Sequence, residues 1–150
     1  KNLTPIQVSV LASIVHKETA KVSERPTIAG VYLNRLALNM PLQADPTVIF
    51  AMKKESGDFE QIIKRVYSKD TQGTISPYNT YINQGLPPGP IAMPDISAID
   101  AVLNAEKHDY IYFCASVDKM GYHSFASNYA AHQVNARKYA EWVNKLGINR

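Results

Sequence analysis

The chain has 150 residues, 45% of them hydrophobic and 19% charged, with a net charge of +3 and one cysteine. That length buries a core without staples, and the balance excludes a disordered, fibrous or disulfide-built chain. Lysines and arginines are scattered, with Lys53-Lys54 and Lys64-Arg65 the closest groupings, so no nucleic-acid stripe is present, and neither a membrane-length apolar run nor an export signal occurs.

Thr4, Pro5 and Gln7 predict a helix start: a side-chain cap, a proline where no N–H is needed, and a capping-box partner. The helix is expected to run to about Ala20. Leu11, Ile14 and Glu18 lie at i, i+3 and i+7, which puts the Glu18 carboxylate on the stripe of two core-type side chains. A carboxylate drawn against an apolar face is disfavoured in its charged form, so its pKa rises toward the range where it donates a proton near neutrality. The alternative is a helix-end glutamate that swings into solvent or pairs with Lys17 or Lys21.

Ser23 is expected to cap a second helix, with Glu24 and Pro26 in its first turn, reaching about Asn39. Ile28, Val31, Tyr32, Leu36 and Leu38 form its apolar stripe, which predicts packing on the first helix. Leu42-Gln43-Ala44 between prolines reads as extended, and Asp45-Pro46 as a cap opening a third helix to about Lys54. In that reading Asp45 is a cap before it is a catalyst. Ser56-Gly57 ends the segment, and Asp58 with Gln61 repeats the capping logic for a fourth helix to about Tyr67.

From about Ser68 to Pro94 no period persists, and a stretch this long inside a compact domain is expected to be a binding or active-site loop. Pro87, Pro88 and Pro90 make it a fixed wall. Tyr78, Asn79, Thr80 and Tyr81 offer flat rings, an amide and a hydroxyl, suited to a sugar; the alternative is a turn whose tyrosines pack back on the core. A fifth helix is expected from Ile96 to about Glu106, capped by Asp95, with Ile96, Ile99, Val102 and Leu103 on one face. YIYFCA and YHSF read as a hairpin turning at 118–121. Cys114 in it reads as a buried small hydrophobe, and His123 as either hydrogen-bonded scaffold or ligand. A last helix is expected from Asn128 to Leu146, ended by Gly147, with His132, Tyr139 and Trp142 as packing or surface residues.

The expected fold class is therefore α+β, mostly helical, with a small β-hairpin and a long ordered loop in a single domain spanning 1–150. The histidines at 16, 108, 123 and 132 lack metal-ligand spacing, and no phosphate loop or G-x-S-x-G elbow occurs. No cofactor is expected, and chemistry falls to a carboxylate. Lys1 in place of Met predicts a fragment of a longer protein, with any anchor upstream.

In order along the chain, LASIVHKET, SERPTIAGVYLNRL, MPLQADPTVIFA, SPYNTY, GLPPGPI and GYHSF resemble the YceG-like endolytic murein transglycosylases, the MltG family. The resemblance covers nearly the whole chain. It implies a periplasmic catalytic domain, tethered by an upstream membrane helix, that cuts inside peptidoglycan glycan strands. It also implies a lysozyme-like active-site helix whose glutamate transfers protons, without a cofactor. The implied partners are glycan strands, with cell-wall synthases as further candidates and no nucleic acid.

The family's catalytic glutamate matches Glu18, directly before Thr19. This chain departs at His16, where another Glu is frequent, but positions 16 and 18 are about 200° apart on a helix, so only one faces a cleft. The substrate-binding positions implied are Gln43, Asp45, Tyr78, Asn79, Thr80 and His123. In the implied reaction Glu18 protonates the glycosidic oxygen, then recovers a proton from the attacking MurNAc 6-hydroxyl, leaving a 1,6-anhydro end. The rivals are a hydrolytic muramidase with Asp45 as second carboxylate and a non-catalytic peptidoglycan-binding domain.

Overall fold

A computed structural model of the chain describes residues 3–63 and 65–146. Helix α1 spans Pro5–Glu18, and its capping box forms as the sequence demands: Gln7 N–H donates to Thr4 Oγ1 at 3.2 Å and Thr4 N–H to Gln7 Oε1 at 2.9 Å. Helix α2 (Arg25–Ala37) follows a 3₁₀ turn at Val22–Glu24, α3 is Asp45–Ser56, and α4 is the six-residue Ser68–Gly73. Then come α5 (Ile96–Leu103), an antiparallel hairpin of β1 (Tyr112–Ala115) and β2 (His123–Ala126), and α6 (Tyr129–Lys145). The fold is α+β and mostly helical. No helix among the described residues is long and apolar enough to cross a membrane.

The core lies where α1, α2 and α5 meet: Leu11, Ile14, Ile28, Tyr32, Ala98 and Val102 are all buried. On α5 the buried face is Ala98, Ala101 and Val102, while Ile96 and Leu103 are exposed. The expected stripe is thus rotated, because small side chains let α5 pack against both α1 and α2. It also ends three residues early.

Three expected caps do not form. Ser23 makes no cap, since the 3₁₀ turn runs directly into α2; Asp45 is the first residue of α3, not its cap; and Asp95 turns its carboxylate to Arg25. Side-chain oxygens with a long-range cation or hydroxyl within reach leave the local N–H groups.

The expected helix at 58–67 is absent among its described residues. Asp58 Oδ1 instead accepts from Glu60 N–H in a turn, and Phe59 and Ile62 stay exposed. With no face to bury, the segment lacks what stabilises a short helix. The following stretch is not structureless throughout, since α4 occupies its start. The remainder is pinned: Ile91 N–H donates to the buried Ser13 Oγ of α1 at 3.0 Å.

The hairpin has the register Phe113↔Phe125 and Ala115↔His123, and Cys114 within it is half-buried rather than buried. Asn128 caps α6 through Ala131 N–H, and that helix packs on the hairpin with none of its residues fully buried. Gly147, its expected stop, lies outside the described residues.

A strap at 106–111 joins α5 to the hairpin and runs along α2. Gly30 makes this possible, because a Cβ there would lie 2.5 Å from both Glu106 O and His108 Nε2. Asn34 donates to the His108 and Tyr110 carbonyls at 2.9 Å, and Arg35 Nε to Ile111 O at 2.7 Å. These bonds fix where β1 starts.

Candidate active site

Glu18 is the last residue of α1, and two features hold the end of that helix. Thr19, buried and extended, stops it. The buried Arg25 guanidinium then donates to Thr19 O at 3.1 Å and reaches Asp95 Oδ2 at 3.1 Å, just before α5, and Ser97 Oγ at 2.7 Å in its first turn. A cation beside carbonyls at a helix C-terminus is favourable. His16, by contrast, faces α5, where its Nδ1 accepts from Asp95 N–H.

Burial is the main reason that the Glu18 carboxyl is pushed from its ordinary 4.5 to about 7. The Tyr32 hydroxyl, donating to Glu18 Oε1 at 2.6 Å, and the nearby His123 pull it down, while Asp45 and Glu24 push it up. The acid is therefore half-protonated near neutrality, as a proton donor that later becomes an acceptor must be. Tyr32→Phe removes the hydrogen bond that favours the charged form. Its expected result is an alkaline limb of the pH–rate profile displaced to higher pH, read from kcat/KM between pH 5 and 9.

Glu18 opens into a cleft of about 220 Å3. Its lining comes from Gln43 and Asp45 where α3 begins, Tyr81 of the loop, Tyr112 and Phe113 of β1, Arg35 of α2, and Tyr129 and His132 of α6. Gln43 has φ +49, a left-handed conformation that costs a non-glycine residue energy. It is imposed from both sides: Leu42 and Ala44 are buried, and Ala44 N–H donates to Thr80 Oγ1 at 2.9 Å. The exposed Gln43 side chain is thus left over the cleft.

The YceG-like family model matches residues 1–138 of the chain. The chain belongs to the YceG-like family. Among curated relatives it is 40% identical, over 96% of its length and 25% of the relative's, to a protein of Streptococcus pneumoniae serotype 2 (strain D39 / NCTC 7466) named endolytic murein transglycosylase. A protein of the same name from Bacillus subtilis (strain 168) is 39% identical over 90% of this chain and 35% of its own. The crystal structure of a YceG-like protein from Listeria monocytogenes superposes with a TM-score of 0.73 at 41% identity, covering 83% of this chain and 38% of that one. The chain thus spans a quarter to a third of the curated relatives' length.

Of the positions singled out in the sequence of this YceG-like chain, Glu18, Gln43 and Asp45 meet in one cleft. Asp45, free of any capping bond, accepts from the Tyr81 hydroxyl, and burial raises its pKa. His123 affects Glu18 electrostatically but lines an adjoining cleft; its backbone N–H and Nδ1 reach the two carboxylate oxygens of the buried Glu24 at 2.7 and 2.6 Å. Tyr78, Asn79 and Thr80 do not line the Glu18 cleft. Asn79 is fully buried, with its amide donating to Thr71 O and Thr74 O and its Oδ1 accepting from Tyr81 N–H. Thr80 is spent on Ala44 and Thr47, and Tyr78 packs against Phe50 at 4.9 Å. This trio builds the wall, and Tyr81 beside it reaches the site.

Arg35 and His132 also line the cleft, a position the sequence reading did not assign to either. Arg35 had a signal: with Ile28 and Tyr32 it continues one helical face, and a charge on a buried stripe wants a partner. His132 stacks on Tyr112 at 4.9 Å, and burial with the nearby Arg35 pushes its pKa below the ordinary value. Nothing in its local sequence announced that placement.

Proposed function

We propose that this YceG-like chain carries the catalytic region of an endolytic lytic transglycosylase that cleaves the MurNAc–GlcNAc bond inside peptidoglycan glycan strands. The observation that carries the reading is a carboxyl held near pKa 7 in an open cleft that it shares with tyrosines and the Gln43 amide. The names of the relatives support it; a peptidoglycan substrate implies work in the cell envelope, and the periplasmic face of the inner membrane is the location proposed with it.

In the first half of the reaction protonated Glu18 gives its proton to the glycosidic oxygen as the bond to C1 breaks. In the second the MurNAc 6-oxygen bonds to C1 and its proton passes to the Glu18 carboxylate. No water is consumed and the acid is restored. The nucleophile belongs to the bound sugar, so it attacks with the high effective concentration of an intramolecular group. Tyr32, which donates to Glu18 Oε1, keeps the carboxyl in place between the two transfers. Gln43, Tyr81 and Tyr112, which line the cleft, are the residues proposed to hold the sugars, by amide and hydroxyl hydrogen bonds and ring stacking.

One observation favours a second reading. Asp45 shares the cleft and could activate water as the second carboxylate of a hydrolytic muramidase. Mass spectrometry of digested strands decides, because hydrolytic ends are one water heavier than anhydro ends. Anhydro products are expected; heavier ones transfer the role to Asp45, and no new ends at all leave a binding domain.

A further inference from the structure

Beside the Glu18 cleft lies a second, of about 430 Å3, lined in part by Glu24, Asp118, Lys119, Tyr122 and His123. The two adjoin: Phe113 lines the first and His123 the second, and their rings meet edge to face at 5.2 Å. Its size falls in the range of ligand sites.

The charges at its mouth do not balance. Glu24 is paired with His123, and Asp118 meets Lys138 at 3.5 Å. Lys21 and Lys119 instead converge on one ring, their ammonium groups 5.4 and 4.3 Å from the centre of Tyr122, and neither has a carboxylate partner among the described residues. Gly121, at φ +84, lies under the Lys21 stem, and a Cβ there would come within 2.7 Å of Lys21 Cε. Two ammonium groups beside one ring, neither with a carboxylate of its own, raise the positive potential at this side of the cleft, and that potential attracts a carboxylate.

We propose that Lys21 and Lys119, flanking Tyr122 at the second cleft, bind a carboxylate of the peptide stem carried by a MurNAc near the cleavage point. The inference rests on the glycan-cleaving reading given above and deepens it by naming the part of the substrate recognised. A stem of four residues reaches up to about 13 Å from its sugar, enough to pass from one cleft to its neighbour. The site makes the chain prefer peptide-bearing strands over bare ones, the more so at low salt.

The test measures Kd for two probes, glycan strands with stem peptides and the same strands stripped by an amidase. The protein is the Glu18→Gln chain, with and without Lys21→Gln and Lys119→Gln. Both lysines are on the surface, so folding is not at issue, and circular dichroism checks it. Peptide-bearing strands are expected to bind about five- to tenfold tighter, and the double lysine substitution to bring that ratio to about one. An unchanged ratio, equal weakening toward both probes, or binding to neither overturns the proposal. Failure of the transglycosylase reading looks different: the unsubstituted chain yields no anhydro ends while the Kd ratio still responds to the lysines.

Discussion

Glu18→Gln is expected to lower strand cleavage by about 10³-fold or more while leaving strand affinity and the fold intact. General acid and general base help is each typically about 10²–10⁴-fold, and one side chain supplies both. The amide matches the carboxyl in shape, and its oxygen still accepts from the Tyr32 hydroxyl, so the loss is of a proton and not of packing. Stability should move the other way. The folded pKa of Glu18, about 7, exceeds its ordinary 4.5. Its contribution is therefore fully present below about 4.5 and lost as the pH rises through 7, where folding must bury a charge. The substituted chain escapes that loss. It should match the original near pH 4 and exceed it by about 1–3 kcal/mol at pH 8–9, read by denaturant titration at both pH values. Retained cleavage removes Glu18 from the mechanism, and an equal difference in unfolding free energy at both pH values removes the buried charge from the explanation.

The parts of this fold legible in sequence were those decided within a few residues. Thr4 and Gln7 form their box, Gly57 closes α3 at φ +74, and the aromatic strands around the turn at Gly121 pair as expected, because each signal and its partner lie within one turn or one hairpin. Helical period put Glu18 on the apolar stripe but left open a helix-end glutamate turned to solvent, and only the resemblance to the family singled it out as the proton-transferring acid. Where the deciding partner is distant, local rules misled. Asp45 and Asp95 look like caps, but one meets Tyr81 across 36 positions and the other Arg25 across 70. The segment after Gly57 has a helix signature but no surface to bury against.

Helix α2 shows why a motif reads more clearly as a family mark than as a set of roles. In SERPTIAGVYLNRL the side chains of Glu24, Arg25, Tyr32, Asn34 and Arg35 each bond outside their own helix, to His123, Thr19, Glu18, the strap and Ile111 respectively. Gly30 gives the strap its closest approach. The helix thus ties the carboxyl on α1 to the hairpin wall opposite it. None of those partners is within five residues, so no reading of spacing finds them.

Asn79→Ala separates wall building from sugar binding, the two roles that SPYNTY suggests. Its side chain is fully buried and serves three backbone groups: Thr71 O at 2.9 Å, Thr74 O at 2.8 Å and Tyr81 N–H at 2.9 Å. Truncation leaves all three without that partner and opens a void. At about 1–3 kcal/mol for each unsatisfied buried group, partly relieved by water, the expected loss is about 3 kcal/mol or more. For a chain of this size that lowers Tm by roughly 6–12 °C. Cleavage should fall too, through Tyr81 and Thr80: the first loses the anchor that aims its hydroxyl at Asp45, and the second is the clamp on Ala44 that holds Gln43 at positive φ. A displacement of about 1 Å at such a wall costs on the order of 10²-fold in rate. The result that would assign Asn79 to the sugar instead is an unchanged Tm with weakened strand binding, since a residue reaching the ligand leaves the empty wall as stable as before.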